Sequence, residues 1–192
     1  RVSPPREKEK LPKPVNLHDV SEIRPHLLLS GYGCVTEAKL RQLGVTHAVD
    51  ATNLRANKRP SGVNFLMVDV EDTNIANIRQ HFQKASDFID EAKAAGGRCL
   101  VYCAAGVSRS ATLVIMHLVL SDCLSLREAY FDVNQTRPII SPNPGFWQQM
   151  IDAERERTDS ATVTLIRGSM ARPVPDVYLH RTAMANQRAC AT

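Results

Sequence analysis

Two spacings of apolar residues alternate along this chain, and their order lays out a fold. Short apolar runs at residues 20–23, 26–29, 45–51, 64–70 and 99–103 have the length of strands and are punctuated by Pro25, Gly31, Gly44, Gly62 and Gly97. Between them apolar residues recur at helical spacing: Ile78, Phe82, Ala85, Phe88, Ile89 and Ala92, then Leu126, Ala129, Tyr130 and Val133, then Phe146, Trp147, Met150 and Ile151. The start and stop residues agree with those stripes. Thr36 caps a short helix that Gly44 ends, and Asn77 with Gln80 and Ser125 with Glu128 form capping boxes. Gly96-Gly97 and Arg137-Pro138 close helices, and Pro144 opens a last one reaching residue 156.

Strands alternating with helices across short loops predict a single α/β domain, a mostly parallel central sheet flanked by helices. The expected organisation is a disordered basic segment at 1–16, a folded domain at 17–157 and a C-terminal tail at 158–192. Within the tail, the stretch PVPDVY at 173–178 has the character of a segment that packs.

One stretch carries more than core. The apolar run ending at Cys103 is followed by Ala104, Ala105, Gly106, Val107 and Ser108, and then by Arg109 at the head of an unbroken apolar helix pattern reaching residue 120. A strand, a tight loop and a helix of this kind can turn backbone N–H groups inward to make a concave anion site. Gly106 supplies the residue that can take positive φ or admit close backbone approach. Cys103 would sit in that cradle, where N–H dipoles favour thiolate over thiol. Arg109 offers a planar fork for two oxygens of a phosphoryl group. A thiolate beneath an oxyanion clamp describes phosphoryl transfer through a cysteinyl-phosphate. No metal or cofactor is required for that chemistry, because Arg109 and the loop dipoles neutralise the phosphoryl charge.

Charge and cysteine usage narrow the classes. The net charge of +4 resides in the ends: residues 1–14 carry five basic and two acidic side chains, residues 158–192 four and two, and the remainder 15 and 16. A near-neutral core argues against nucleic-acid binding. The five cysteines are odd in number and form no CxxC pair, so neither a disulfide framework nor a zinc site is expected. Cys99 and Cys103 share a strand face, but an extended strand holds their Cα atoms about 13 Å apart, beyond bridging distance. Cys34 and Cys123 read as buried hydrophobes and His117 as a satisfied core or partly exposed group. No apolar run is long enough to span a membrane, and the chain starts at Arg1 without a visible secretory signal. The expected compartment is reducing, the cytoplasm and also the nucleus. Nothing in the pattern sets an oligomeric state.

The segment VYCAAGVSRSAT at 101–112 resembles the signature of the cysteine-dependent dual-specificity protein phosphatases, and 70–103 and 128–156 resemble the family's flanking segments. The likeness spans roughly 17–157 and is to the small atypical members, most of all the group of dual specificity phosphatases 14, 18 and 21, whose tails PVPDVY resembles. The resemblance implies a phosphatase fold built on the strand, phosphate loop and helix at 99–120. It also implies hydrolysis of phosphotyrosine, and of phosphoserine and phosphothreonine, in phosphoprotein substrates. Carried over by position, Cys103 corresponds to the nucleophile, and residues 104–109 with the Arg109 side chain to the phosphate clamp. Ser110 corresponds to the hydroxyl that helps the thiolate leave. Asp72 corresponds to the general acid, which protonates the departing oxygen and later activates water; Asp69 and Glu71 lie close enough to remain rivals. Asn143 corresponds to an asparagine that braces the phosphate loop from behind.

The chain departs from the pattern at Tyr102, where the family has histidine. Tyrosine cannot become a cation, so the thiolate keeps only the loop dipoles and Arg109. Two classes of function follow: an active phosphatase, or a weakly active or inactive pseudophosphatase that binds phosphoproteins. Inositol-lipid phosphatases of related loop would place lysines where Ala104, Ala105, Val107 and Ser108 stand, an RNA 5′-phosphatase would show a basic groove, and a rhodanese-type sulfur transferase would need neither Ser110 nor Asp72.

Overall fold

The run that ends on Cys103 lies at the centre of the sheet. The computed structural model describes residues 15–57, 59–167 and 172–179. Five strands, β1 (Ser21–Arg24), β2 (Leu27–Gly31), β3 (Val45–Asp50), β4 (Asn64–Met67) and β5 (Arg98–Cys103), form one sheet in the order β1-β2-β5-β3-β4. Only β1 is antiparallel to its neighbour; β2, β5, β3 and β4 run parallel. Their carboxyl ends therefore meet at one edge, the place where such sheets hold ligands. In register, Cys103 pairs with Gly31 and Tyr102 with Ser30 and Asp50.

Alternation along β5 assigns its side chains to two cores. Cys99, Val101 and Cys103 face the larger one, and Leu100 and Tyr102 the smaller. The larger core is roofed by α2 (Phe82–Ala94), α3 (Arg109–Leu120), α4 (Leu126–Thr136) and α5 (Pro144–Thr158), and the short α1 (Glu37–Gln42) lends Leu40 to the smaller. Helix α3 is buried on every side, which is why its sequence shows no polar face. His117 on it is satisfied, its Nδ1 lying 2.9 Å from Ser86 Oγ. The Ser125–Glu128 box caps α4 as expected, and Thr36 caps α1.

Two expectations change. Asn77 does accept from Gln80 N, at 3.4 Å, yet α2 begins only at Phe82, after a tight 3-10 turn at Arg79–His81. The N–H of Arg79 is taken by Gln149 Oε1 of α5 at 2.9 Å, which ties this turn to α5. Cys123 is exposed, because the turn between α3 and α4 places it at φ 56°, a left-handed conformation that aims its side chain outward. Past α5, the chain returns to the domain. Strands β6 (Leu165–Ile166) and β7 (Val174–Pro175) form a two-stranded antiparallel ribbon, Val163 and Val177 are fully buried, and Trp147 Nε1 donates to Tyr178 Oη at 3.0 Å. Segments this short carry no periodicity. Residues 1–14, most of the segment expected to be disordered, and 180–192 lie outside the described residues. Among the described residues no helix is long and apolar enough to cross a membrane.

Candidate active site

The loop between β5 and α3 is shaped from outside. Each carbonyl from Ala104 to Ser108 is claimed by a donor behind the loop. Tyr32 N holds Ala104 O at 3.2 Å, Arg137 Nη2 holds Ala105 O at 3.3 Å, Arg137 Nε holds Gly106 O at 2.9 Å, and Ser141 N holds Val107 O at 2.8 Å. Ser108 O accepts from Thr112 N and Oγ1, both at 2.9 Å. In a trans peptide the N–H points opposite to the preceding C=O, so carbonyls drawn outward leave the N–H groups turned toward Cys103. Gly106 makes the turn possible twice over: its φ is +69°, and a Cβ there would come within 2.5 Å of the Ser30 carbonyl carbon.

Cys103 is 2% exposed at the floor of this cradle, and Ser110 Oγ donates to its Sγ at 3.1 Å. Burial alone would push the thiol up. The Ser110 hydroxyl and the backbone N–H groups of Ser110, Val107 and Gly106 outweigh it, and Cys103 titrates below the ordinary cysteine value. Cys99, on the same strand face but with burial as its sole influence, is pushed the opposite way. The contrast locates the cause in the loop donors.

Arg109 is fixed by Nη1, which donates to Thr52 O at 2.9 Å and Val70 O at 3.4 Å; its Nε is buried without a hydrogen-bond partner. Of the three neighbouring carboxylates, Asp72 lines the cleft above Cys103, while Asp69 is exposed beside His81 and Glu71 is exposed outside the lining. Asp72 Oδ1 accepts from Ser108 Oγ at 2.7 Å and Asn143 Nδ2 at 2.8 Å, and its Oδ2 lies 3.9 Å from Arg109 Nε. The cleft has a volume of about 550 Å³, with Leu17, Ala105, Val107 and Ser141 on its walls.

Asn143 sits elsewhere than behind the loop. Its Oδ1 caps α5 by accepting from Phe146 N at 3.0 Å, its Nδ2 holds Asp72, and its backbone N donates to Ser108 Oγ at 3.2 Å. Asparagine suits the position because it both accepts and donates; aspartate could cap the helix but not hold a second carboxylate. The brace behind the loop is Arg137, fully buried, which also donates to Asp19 O at 2.8 Å and Ser21 Oγ at 3.2 Å. In the sequence Arg137 reads only as the end of a helix, and no local signal reveals that a buried cation there serves a loop thirty residues upstream.

Tyr102 projects to the opposite sheet face from Cys103, where it stacks on Tyr32 with ring centroids 6.2 Å apart. Its hydroxyl is buried without a bonded partner, and burial, with the Asp50 carboxylate next in importance, pushes its titration well up. Asp50 is itself buried, held by Thr52 N and Oγ1 at 3.0 and 2.6 Å and paired with Arg59 Nη2 at 3.3 Å. Since Thr52 O is the anchor of Arg109, this cluster supports the clamp from the far side of the sheet. Among the described residues no group of three or more His, Cys, Asp or Glu side chains could hold a metal.

A parallel sheet whose central strand delivers a cysteine into an N–H cradle, with an arginine fixed beside it, defines a cysteine-based phosphatase architecture. The chain belongs to the dual specificity phosphatase family: residues 27–156 match its catalytic domain. It is 38% identical to dual specificity protein phosphatase 14 of Bos taurus, over 85% of this chain and 82% of that protein. It is 31% identical to dual specificity protein phosphatase 18 of Mus musculus, over 91% and 92%. The crystal structure of human DUSP28 superposes with a TM-score of 0.68 at 32% identity, covering 72% of this chain and 94% of that one.

Proposed function

We propose that the site hydrolyses phosphotyrosine, and phosphoserine and phosphothreonine with it, in proteins, through a phosphoryl group carried on Cys103. The observation that carries this reading is the convergence of the loop N–H groups and the Ser110 hydroxyl on Cys103 Sγ, which favours the thiolate. The thiolate attacks phosphorus as the bond to the substrate oxygen breaks, and Asp72 in its acid form gives its proton to that oxygen. The equatorial oxygens lie against the loop N–H groups and the free edge of Arg109. Water then attacks the cysteinyl-phosphate, Asp72 takes its proton, and the S–P bond breaks with Ser110 Oγ–H donating to the departing thiolate. Rapid acid quenching of the native protein with a phosphotyrosine peptide should give a mass increase of one phosphoryl group on Cys103, with inorganic phosphate released from phosphotyrosine and phosphothreonine peptides alike. Absence of release from both peptides would discard the enzymatic reading.

Tyr102 supports a second reading, a weakly active or inactive phosphoprotein binder. A histidine at this position would lie beside the buried Asp50 carboxylate, which favours its charged form, and its charge would act on Cys103 across one residue of strand. The thiolate fraction falls as pH drops through the cysteine's titration, so such a cation extends reactivity toward acid. The midpoint of iodoacetate alkylation of Cys103 is therefore expected to move down by about one pH unit in Tyr102→His. Coincident profiles for the two proteins would show that Tyr102 costs the site nothing.

A further inference from the structure

A second cleft, of about 430 Å³, lies on the other side of the Asp72 loop, and it exists only because the chain past α5 folds back as the β6–β7 ribbon. The two clefts share one thin wall. Asp72 and Asn143 line the first, while Asn74, Pro144 and Gly145 line the second. Two residues of extended chain span about 7 Å, so the divide between the clefts is one loop thick. Ile75, next to Asn74 on that loop, is 95% exposed.

The charged side chains lining the second cleft are both arginines, Arg155 and Arg167, among the neutral donors Asn74, Gln148 and Thr164. Arg167 has no acidic partner among the described residues. Arg155 reaches Asp152 Oδ1 at 3.2 Å, with both side chains more than a third exposed. An exposed pair of this kind is worth at most about 1 kcal/mol, so an incoming anion can compete for the guanidinium. Both the β6–β7 ribbon and α5 therefore contribute a positive group to one concave surface beside the phosphate cradle.

We propose that this cleft is a subsite for a negatively charged side chain of the substrate, a carboxylate or a second phosphate, on the segment flanking the phosphoresidue. The proposal rests on the reading of the first cleft as a phosphoresidue site. With the phosphoresidue over Cys103, a substrate chain crossing the Asp72 loop carries its flanking residues toward Arg155 and Arg167, at ~3.3 Å per extended residue. Bidentate guanidinium pairing suits either anion, phosphate more strongly.

The test uses phosphotyrosine peptides with neutral flanks, with glutamates at two to five positions on either side, and with a second phosphoserine there. kcat/KM is measured for the native protein and for Arg155→Glu/Arg167→Glu, with p-nitrophenyl phosphate as the small substrate. The native protein should prefer the acid-flanked peptide by about tenfold and the doubly phosphorylated one by more, and charge reversal should abolish both preferences while p-nitrophenyl phosphate turnover stays within about twofold. Equal rates across flanks in the native protein, or a preference that survives reversal, overturns the subsite. Peptide affinities for Cys103→Ser, with and without the two reversals, decide the subsite independently of turnover. If p-nitrophenyl phosphate is not hydrolysed by the native protein, it is the reaction that fails; the affinity ratios still judge the cleft.

Discussion

Cys103→Ser is expected to lower p-nitrophenyl phosphate turnover by at least about 10⁴-fold, since losing the nucleophile of a covalent route removes a whole reaction path. A serine hydroxyl in the same place is not ionised near neutrality, and the loop donors that favour a thiolate cannot ionise it to a useful extent. The cradle should survive the change. Its shape depends on carbonyls held by Tyr32, Arg137, Ser141 and Thr112, none of which touches Sγ, and on the φ of Gly106. Phosphopeptide affinity, measured by fluorescence anisotropy, should therefore stay within about threefold of the native value, because Arg109 and the N–H groups supply the anion site. Equal turnover by the two proteins would remove the cysteinyl-phosphate route and leave a binding module.

The second large effect is expected at a residue with no reactive group. A Cβ at position 145 would fall 1.9 Å from Asn74 O and 2.5 Å from Asn74 C, and both are backbone atoms that no rotamer change can move aside. Gly145 has ordinary backbone angles, so the requirement is for space alone. Gly145→Ala must push the chain at Asn74 away from α5, and Asp72 is two residues upstream on the same loop. Its bonds to Asn143 Nδ2 and Ser108 Oγ, at 2.8 and 2.7 Å, have little slack. Turnover of a phosphothreonine peptide should fall about 10²-fold, the scale of a lost general acid, while p-nitrophenyl phosphate, whose leaving group departs readily without a proton, should lose under about fivefold. Overpacking of this kind costs roughly 1–3 kcal/mol, so a melting curve checks that the fold persists. Asp72→Asn should reproduce the same split between substrates. A uniform loss on both would place the effect in the phosphate loop or the fold.

Much of this protein could be read from spacing. Strand-length runs, helical stripes and caps are local signals, and local energetics place α1, α3, α4, α5 and the strands of the main sheet within a residue or two of where the patterns put them, except that β4 ends at Met67, three residues short of its apolar run. The start of α2 escaped: a 3-10 turn at Arg79–His81, tied to α5 by Gln149 seventy residues away, precedes it. The outward turn of Cys123 depends on how two helices meet. The β6–β7 ribbon has two residues per strand, too few for alternation to appear.

The strand, loop and helix around Cys103 were legible because their chemistry is encoded in consecutive residues: a cysteine at a strand end, a glycine able to take positive φ, and an arginine entering a helix. Sequence by itself thus determined the α/β class, the position of the cysteine at the strand end, and the loop able to present N–H groups to an anion. Tertiary structure decided everything that rests on groups distant in the chain. It brings Asp72 rather than Asp69 or Glu71 over the cleft, sets Asn143 against that carboxylate, and buries Arg137 behind the loop. It turns Tyr102 toward Asp50 on the far face, sets Gly145 against the Asn74 backbone on the loop that carries Asp72, and opens a second arginine-lined cleft beside the first. The physical reason is the same in each case. A hydrogen bond or a steric limit between residues tens of positions apart depends on where the backbone has been carried, and the spacing of apolar residues says which faces are buried but not which polar atoms meet.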